Sequence, residues 1–571
     1  VIRRLSSRLD AIVEQCAPPD GPGCTVVVVY RGELVHVAAR GLADLEHRVP
    51  LTTRTVFHLA SVSKHVTAFA VALLAERGAL GLDDLLERHL PGSLRAAGRT
   101  TMRQCLGHTS GIREFLQLLM VAGWRIDDVI TDGDALAVIG RQRDLAFAPG
   151  TEYSYSNSGY LLAGQVVGAA SGRSLRSFLE EELFSPLGMG STHVHDDYTE
   201  LVPDGARSYK VDARGAVRQA VMSFGLTGST GLRSSAEDLA RWLANLQSPS
   251  VGGEVLPRLL EPGRLADGTP TGYGLGLVCD TVRGRRRAHH GGEDAGFTSY
   301  LAHYPDDAIG IAVLCNGRNL LAPAVAERVE GACLEELAGA TRDGEGAAAP
   351  LLPPAMPLLR RSPSPTPARR LTPGRYADRA TGLAVSVDPG GALVVGEGWD
   401  PVPLEPAADG TFAARGVGLR VAALRRGPEP AIRLAGYGSS VFDLEAVAEV
   451  PANASPRGGD DDDVNGLCGT YRSAELRAEL VVRREDDRIV LDACKLVPTT
   501  LRPVLPDCYT GTWGDSEIGW PFAWRVIRPA ASPDGEVAGA LLTMDRARAM
   551  RFERVDGAGA LRDGQAGGGS Y

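Results

Sequence analysis

The sequence predicts an α+β fold: an antiparallel sheet flanked by helices, with an inserted helical region, followed by two small antiparallel β-barrel domains. Three observations point there. Strand-like pairs stand near both ends of the first 338 residues, with helical patterns between them. The composition then turns rich in Ala, Gly and Pro over 339–370, as linkers do. Beyond it, short alternating strands with Gly turns occur twice, as LTPGRYADRATGLAVSVDPGGALVV (371–395) and LCGTYRSAELRAELVVRREDDRIVL (467–491), with Tyr376 matching Tyr471.

Each element has its own signal. TVVVVY (25–30) and the segment 34–39 flank Arg31-Gly32, which reads as a hairpin turn. Over 61–78, Val62, Val66, Phe69 and Leu73 keep helical spacing, and Gly78 ends the run. Segments 236–246 and 323–337 behave likewise, and strands 298–304 and 308–315 are joined by Pro305-Asp306-Asp307. The expected division is a first domain at 1–338, a linker at 339–370, a β-barrel at 371–450 and an acidic, Gly-containing linker at 451–466. A second β-barrel at 467–556 and a flexible tail at 557–571 complete it.

At 571 residues the chain exceeds one hydrophobic core, and 44% hydrophobic with 23% charged residues argues against disorder. A net charge of −10 argues against a dedicated nucleic-acid or anionic-membrane partner. No apolar run approaches the ~18 residues of a membrane span. VIRRLSSRLDAIVEQ at the start shows no apolar core of a secretory signal. Nine cysteines, an odd number without a C-x-x-C pair, suggest free thiols, a reducing compartment and a cytoplasmic location. Among the 60 basic residues only Lys64, Lys210 and Lys495 are lysines. Arginine does not lose its proton in a protein, whereas a desolvated lysine serves as a base, so each lysine invites a question.

Ser61-Val62-Ser63-Lys64 gives one answer. Residues three apart at a helix start share a face, so the Ser hydroxyl and Lys amine can touch. The helix N-terminus adds free N–H groups, and burial lowers the amine's pKa until it can take the Ser proton. Alone the motif is also a chance arrangement. Two more features follow in order. In PGTEYSYSNSGY (149–160), Tyr155 can relay a proton and Asn157 can orient a carbonyl; singly, Tyr155 reads as a packing residue. His290-Gly291-Gly292 precedes the 298–304 strand, where paired glycines permit close backbone approach. By itself His289-His290 reads as a solvated pair.

Together, Ser61-x-x-Lys64, Tyr155-x-Asn157 and His290-x-Gly292 resemble the three motifs of the penicillin-recognising serine hydrolases, the β-lactamase and D,D-peptidase superfamily. FHLASVSK (57–64), LGHTSGI (106–112), PLGMGST (186–192), STGLRSSAEDLARW (229–242) and YGLGL (273–277) fit too. With two β domains following, the layout is most similar to the D-aminopeptidases of this superfamily, which carry His in the third motif. The resemblance implies that Ser61 becomes acylated, that Lys64 and Tyr155 shuttle its proton, that Asn157 holds the acyl part, and that His290 contacts Tyr155 or the substrate. It also implies an oxyanion hole at the backbone N–H groups of Ser61 and Glu293.

The function expected is a serine hydrolase acting through an acyl-enzyme, a D-aminopeptidase releasing N-terminal D-amino acids from peptides or amides. An esterase or a D,D-carboxypeptidase or β-lactamase-like hydrolase is the alternative, and an inactive fold used for binding is another of a different class. Gly292 beside the substrate, with Glu293 and Asp294 able to pair with its ammonium, suits a free amino terminus; the bland reading leaves both acids in solvent. The resemblance places a loop of the last domain in the cleft, and the segment Trp513–Trp524 is the candidate, with Asp515 and Glu517 as substrate-binding residues. His193-Val194-His195-Asp196-Asp197 reads as a solvated loop, and neither metal nor cofactor is expected. The expected partners are a small-molecule or peptide substrate with a D-amino acid and a second copy in a homodimer.

Overall fold

Alternation organises the central sheet. Val26 and Val28 enter one apolar cluster while Val27 and Val29 enter another, because successive strand side chains point to opposite faces. Ile311 and Val313 divide in the same way from Ala312 and Leu314. A strand buried on both faces reads as a continuous apolar run, as these do. The computed structural model shows six antiparallel strands in the spatial order Val278–Val282, Arg285–Asp294, Phe297–Tyr304, Ile309–Cys315, Cys24–Tyr30 and Glu33–Arg40. It describes residues 1–211, 216–318, 320–338, 371–378, 384–394, 404–406, 412–414, 419–426, 429–435, 441–447, 467–485, 488–493, 498–505, 507–514, 519–527, 537–544 and 546–555. The expected linkers at 339–370 and 451–466 and the tail at 557–571 lie outside these residues.

The first hairpin turns through Arg31 and Gly32, whose φ values of 53° and 80° match the mirror-image turn that strand twist favours. Helices Ile2–Cys16 and Ala322–Leu337 cover one face of the sheet; Ala236–Gln247 and the helical insertion cover the other. Among the described residues, no helix is long and apolar enough to cross a membrane.

The helix expected over 61–78 is present as Ser63–Glu76. Every residue from Ser63 to Leu74 is buried. It packs against Asn157–Ser171 on one side and against the YGLGL segment on another, where a Cβ on Gly276 (φ 83°) would stand 2.4 Å from His65 Cα. A helix surrounded in this way has no solvent face, so polar Ser63, Lys64, His65 and Thr67 are buried with the rest. Each large apolar side chain buried here, such as Phe69, stabilises the fold by about 1.5–3 kcal/mol.

Both expected β regions are antiparallel. The first forms an eight-stranded sheet, running in space from Leu393–Val394 at one edge to Leu404–Pro406 at the other. The second closes into an eight-stranded barrel. Their internal similarity is also geometric. Tyr376 donates to the Thr372 carbonyl at 2.6 Å, and Tyr471 donates to the Leu467 carbonyl at 2.7 Å, four residues upstream in each case. Trp524 is fully buried in the barrel core against Tyr471 and Phe552.

One apolar cluster runs from the helical insertion into the second barrel, and two barrel turns make polar contact across that junction. Arg113, buried, donates to the carbonyls of Arg548 at 2.8 Å and Ala549 at 3.2 Å, to Gln142 at 2.9 Å and to Glu475 at 3.4 Å. Arg141 reaches the Glu475 carbonyl at 2.9 Å. Arg113→Ala leaves these buried acceptors unpaired and is expected to destabilise the chain by about 3–5 kcal/mol. Calorimetry and limited proteolysis at the barrel junction check this; an unchanged melting profile contradicts it.

Candidate active site

A strained turn presents Ser61. Its predecessor Ala60 has φ 46°, a conformation rare for a residue with a Cβ, and a short 3-10 turn over Ala60–Val62 leads into the helix from Ser63. The turn is held from several directions. Ala60 N–H donates to His58 Nδ1 at 3.2 Å, Ser63 Oγ to the Ala60 carbonyl at 2.6 Å, and Ser299 Oγ to the Leu59 carbonyl at 2.6 Å.

Lys64 lies one helical turn on and is completely buried. Its Nζ is 2.9 Å from Ser61 Oγ, 2.7 Å from Asn157 Oδ1 and 2.7 Å from the Ser229 carbonyl. Burial pulls its pKa down to about 7; Arg546 adds to the lowering, while Glu114 and Asp294 oppose it. A neutral amine has two N–H bonds for Asn157 and Ser229 and a lone pair for the Ser61 hydroxyl. That geometry can deprotonate Ser61.

Glu114 fixes the direction of Asn157. Its carboxyl oxygens accept from Asn157 N–H at 2.5 Å and from Asn157 Nδ2 at 3.0 Å. The amide nitrogen is thereby committed to Glu114, and the amide oxygen must face Lys64. Sequence reasoning missed Glu114, although it lies two residues beyond the LGHTSGI word.

Tyr155 is 9% exposed, and Lys64 Nζ lies 4.9 Å from its ring centroid. His108 packs against it at 4.3 Å between centroids and also against Tyr153, Tyr160 and Tyr273, a cage of aromatic rings. His108 Nδ1 accepts from Ser156 N–H at 3.1 Å, which shapes the loop before Asn157.

His290 is buried, with its ring 6.1 Å from that of Tyr155. Its Nδ1 faces the Gly291 carbonyl at 2.6 Å and so donates; its Nε2 then accepts from the Tyr273 hydroxyl at 3.0 Å. Burial, aided by the Lys64 charge, holds its pKa well below the usual value. The imidazole is neutral, and the third motif supplies no cation. Gly292 brings its strand against the Ser61 turn: an added Cβ would meet the Leu59 carbonyl oxygen at 2.4 Å and Ser61 N at 3.0 Å.

The neighbouring acids differ from each other. Glu293 is exposed and pairs with Arg318 at 2.9 Å. Asp294 is partly buried and accepts from Thr230 Oγ1 at 3.3 Å; burial pushes its carboxyl up to about 7. Asp515 and Glu517, which fall between strands Cys508–Gly514 and Gly519–Ile527 in the sequence, lie outside the described residues. Among the described residues, the barrel reaches the cleft through another turn, between Gly539–Thr543 and Met550–Val555, where the Arg546 guanidinium carbon stands 5.9 Å from the Tyr155 ring centroid.

His193, His195 and Glu200 come together more closely than the solvated loop expected of this segment: their ligand atoms lie within 4.8 Å of one another, and His195 is buried. Arg176 already binds both Glu200 oxygens at 2.7 Å, so that carboxylate has its counter-charge without a metal.

The family model described as Beta-lactamase matches residues 9–333. A D-aminopeptidase of Gluconobacter oxydans (strain 621H) is 28% identical over 492 residues, covering 84% of this chain and 85% of the relative. A D-aminopeptidase of Brucella ovis is 30% identical over 304 residues, 52% of this chain and 56% of the relative, so that match spans about half of each. Among solved structures, the octameric penicillin-binding protein homologue from Pyrococcus abyssi shares the fold with a TM-score of 0.51 at 18% identity, over 97% of this chain and 100% of that one. SurE shares it with a TM-score of 0.51 at 19% identity, over 97% and 99%.

Gly292→Ala is expected to push the strand off the Ser61 turn and slow modification of Ser61 by a fluorophosphonate about 100-fold, the scale of an ångström-sized misplacement. Labelling kinetics followed by mass spectrometry check this. A wild-type rate would remove Gly292 from the site.

Proposed function

The chain belongs to the beta-lactamase family and is a serine hydrolase, and we propose that it is a D-aminopeptidase that releases N-terminal D-amino acids from peptides or amides through an acyl-enzyme. The observation that carries this reading is the buried Lys64 amine, 2.9 Å from Ser61 Oγ and with a pKa near 7. The D-aminopeptidase of Gluconobacter oxydans, aligned over most of both chains, supports the substrate class.

In the proposed reaction Lys64 Nζ takes the Ser61 proton as Oγ bonds to the substrate carbonyl carbon. The oxyanion is held by the N–H groups of Ser61 and Glu293. Lys64 and Tyr155 return the proton to the leaving nitrogen as the C–N bond breaks, leaving the acyl group on Ser61. Water then attacks the ester and gives a proton to Lys64, which passes it to Ser61 Oγ as the acyl–oxygen bond breaks, freeing the amino acid and restoring the Ser61 hydroxyl and the neutral Lys64 amine. Asn157, aimed by Glu114, holds the acyl part, and His290, neutral beside Tyr273, braces the wall next to Tyr155.

Asp294, rather than the Arg318-paired Glu293, is the better partner for a substrate ammonium. Its carboxyl, pushed up to about 7 by burial, ionises more readily once a cation approaches.

Protonated Lys64 blocks proton abstraction, so kcat/KM on D-alanine p-nitroanilide should rise with pH through a midpoint near 7. A flat profile between about pH 5 and 9 would contradict the assignment. Lys64→Arg keeps the charge but cannot release the proton, and turnover should fall by roughly 1,000-fold or more. N-acetylation of the same substrate removes the ammonium; equal rates on the two forms would end the role of Asp294.

A further inference from the structure

A buried guanidinium stands beside the segment that leads to Ser61. Arg233 lies on strand Leu232–Ser234, the middle of three, opposite His58 on one neighbour and His193 on the other. Cross-strand partners point to the same face, so the three side chains form a row. Arg233 is 8% exposed, and among the described residues its guanidinium makes no hydrogen bond and no ion pair; its Nε is enclosed. Burial pulls its pKa down to about 10, against the attraction of Asp294 and Glu200, and leaves it charged at neutral pH. A buried charge without a partner is costly, and an arginine fork is shaped to take an oxyanion through parallel hydrogen bonds.

The neighbours on that face fit an anion better than a cation. His193 Nε2 and His195 Nδ1 are enclosed and have no hydrogen-bond partner. Burial foremost, with the Arg233 charge adding to it, holds both imidazoles below their usual pKa, so each is neutral and has one N–H to direct. Glu200, 3.6 Å from His195 Nδ1, gives both oxygens to Arg176 at 2.7 Å and leaves the Arg233 charge unmatched. A metal ion there would face the guanidinium groups of both Arg176 and Arg233. His58 has no donor to spare. Its Nδ1 accepts from Ala60 N–H at 3.2 Å, so Nε2 carries the hydrogen toward Thr230 Oγ1 at 3.4 Å, and Thr230 donates to Asp294 at 3.3 Å. That chain joins the Ser61 turn to Asp294, which acts on both Lys64 and Arg233.

We propose that Arg233 binds a small oxyanion, with the His193 and His195 imidazoles as further donors, at a site separate from the Ser61–Lys64 machinery. Two sources share this chemistry. One is an acidic side chain on the residue that becomes the acyl group, its ammonium held by Asp294; the other is a free anion such as acetate or phosphate. The first rests on the aminopeptidase reading and makes D-glutamyl and D-aspartyl groups the favoured acyl class. The second is independent of that reading.

The test uses the full chain, as wild type, Arg233→Met and Arg233→Lys, in a buffer whose only small anion is chloride. Sodium acetate and inorganic phosphate are titrated at constant ionic strength, with binding followed by calorimetry and by melting. Wild type should bind one of them saturably and melt about 2–4 °C higher when loaded; Arg233→Lys should keep part of the gain and Arg233→Met none. Without either anion, Arg233→Met should melt no lower than wild type, since it sheds an unpaired buried charge. A lower melting temperature would make Arg233 a structural residue and overturn the proposal. The substrate arm compares D-glutamyl with D-glutaminyl p-nitroanilide. A kcat/KM ratio of about 10- to 100-fold in favour of D-glutamyl, falling toward one in Arg233→Met, identifies the side chain as the source. Saturable acetate or phosphate binding with a ratio near one identifies a free anion. Absence of saturable binding together with a ratio near one overturns the proposal, as does binding or a ratio that persists in Arg233→Met. Wild type that cleaves neither anilide ends the aminopeptidase reading alone, and the binding arm then decides the site.

Discussion

The burial of Lys64 is the constraint on which the rest of the first domain depends. An ammonium without water is strongly disfavoured, and the chain answers with three acceptors at hydrogen-bond distance and a pKa drawn down to about 7. Each acceptor makes a structural demand. Ser61 must sit on the turn through Ala60, Ser229 must present its carbonyl across the helix, and Asn157 must show oxygen rather than nitrogen. Glu114 meets the last demand by taking both Asn157 donors. The serine helix is consequently enclosed on every side, since a single solvated face near Lys64 would restore the ordinary ammonium.

Enclosure extends the dependence to the barrel. Glu114 N–H bonds the Arg546 carbonyl, and Arg113 beside it bonds the carbonyls of Arg548 and Ala549. Two consecutive residues of the first domain therefore face two tasks, Arg113 toward the barrel and Glu114 toward both the barrel and Asn157. The barrel is continuous with the site's supports through hydrogen bonds as well as through the shared apolar cluster.

Much of this was legible in the sequence where the signal was local. The apolar run TVVVVY, the Arg31-Gly32 turn, the S-x-x-K spacing and the matching tyrosines of the two β regions all express local composition, spacing or repetition. The spacing of Val62, Val66, Phe69 and Leu73 marked the helix that the structure has at Ser63–Glu76, but a helix's own spacing does not reveal how many neighbours surround it, so the burial of Ser63, Lys64, His65 and Thr67 was not legible. Glu114 and Arg546 were hidden for another reason. Their contacts join positions 43 residues apart, as Glu114 does with Asn157, or 429, as Gln117 does with Arg546. An acid at a helix cap and an arginine in a barrel turn carry no local mark of such partners. His108 and Tyr273 stood inside words already noticed, yet their role, aromatic packing centred on His108 and bearing on Tyr155, appears only in three dimensions.

The scarcity of lysine gains its meaning from this arrangement. A guanidinium at position 64 would be a permanent buried charge with no means of shedding it, whereas one at position 546, partly exposed, is tolerable. The two cations are nevertheless coupled, because Arg546 lowers the pKa of Lys64. Linkage requires the converse. If the docked Arg546 makes Lys64 release its proton more easily, then a proton on Lys64 weakens the docking of Arg546 by the same factor. The neutral amine, the form able to activate Ser61, is thus also the form that best accommodates the barrel turn.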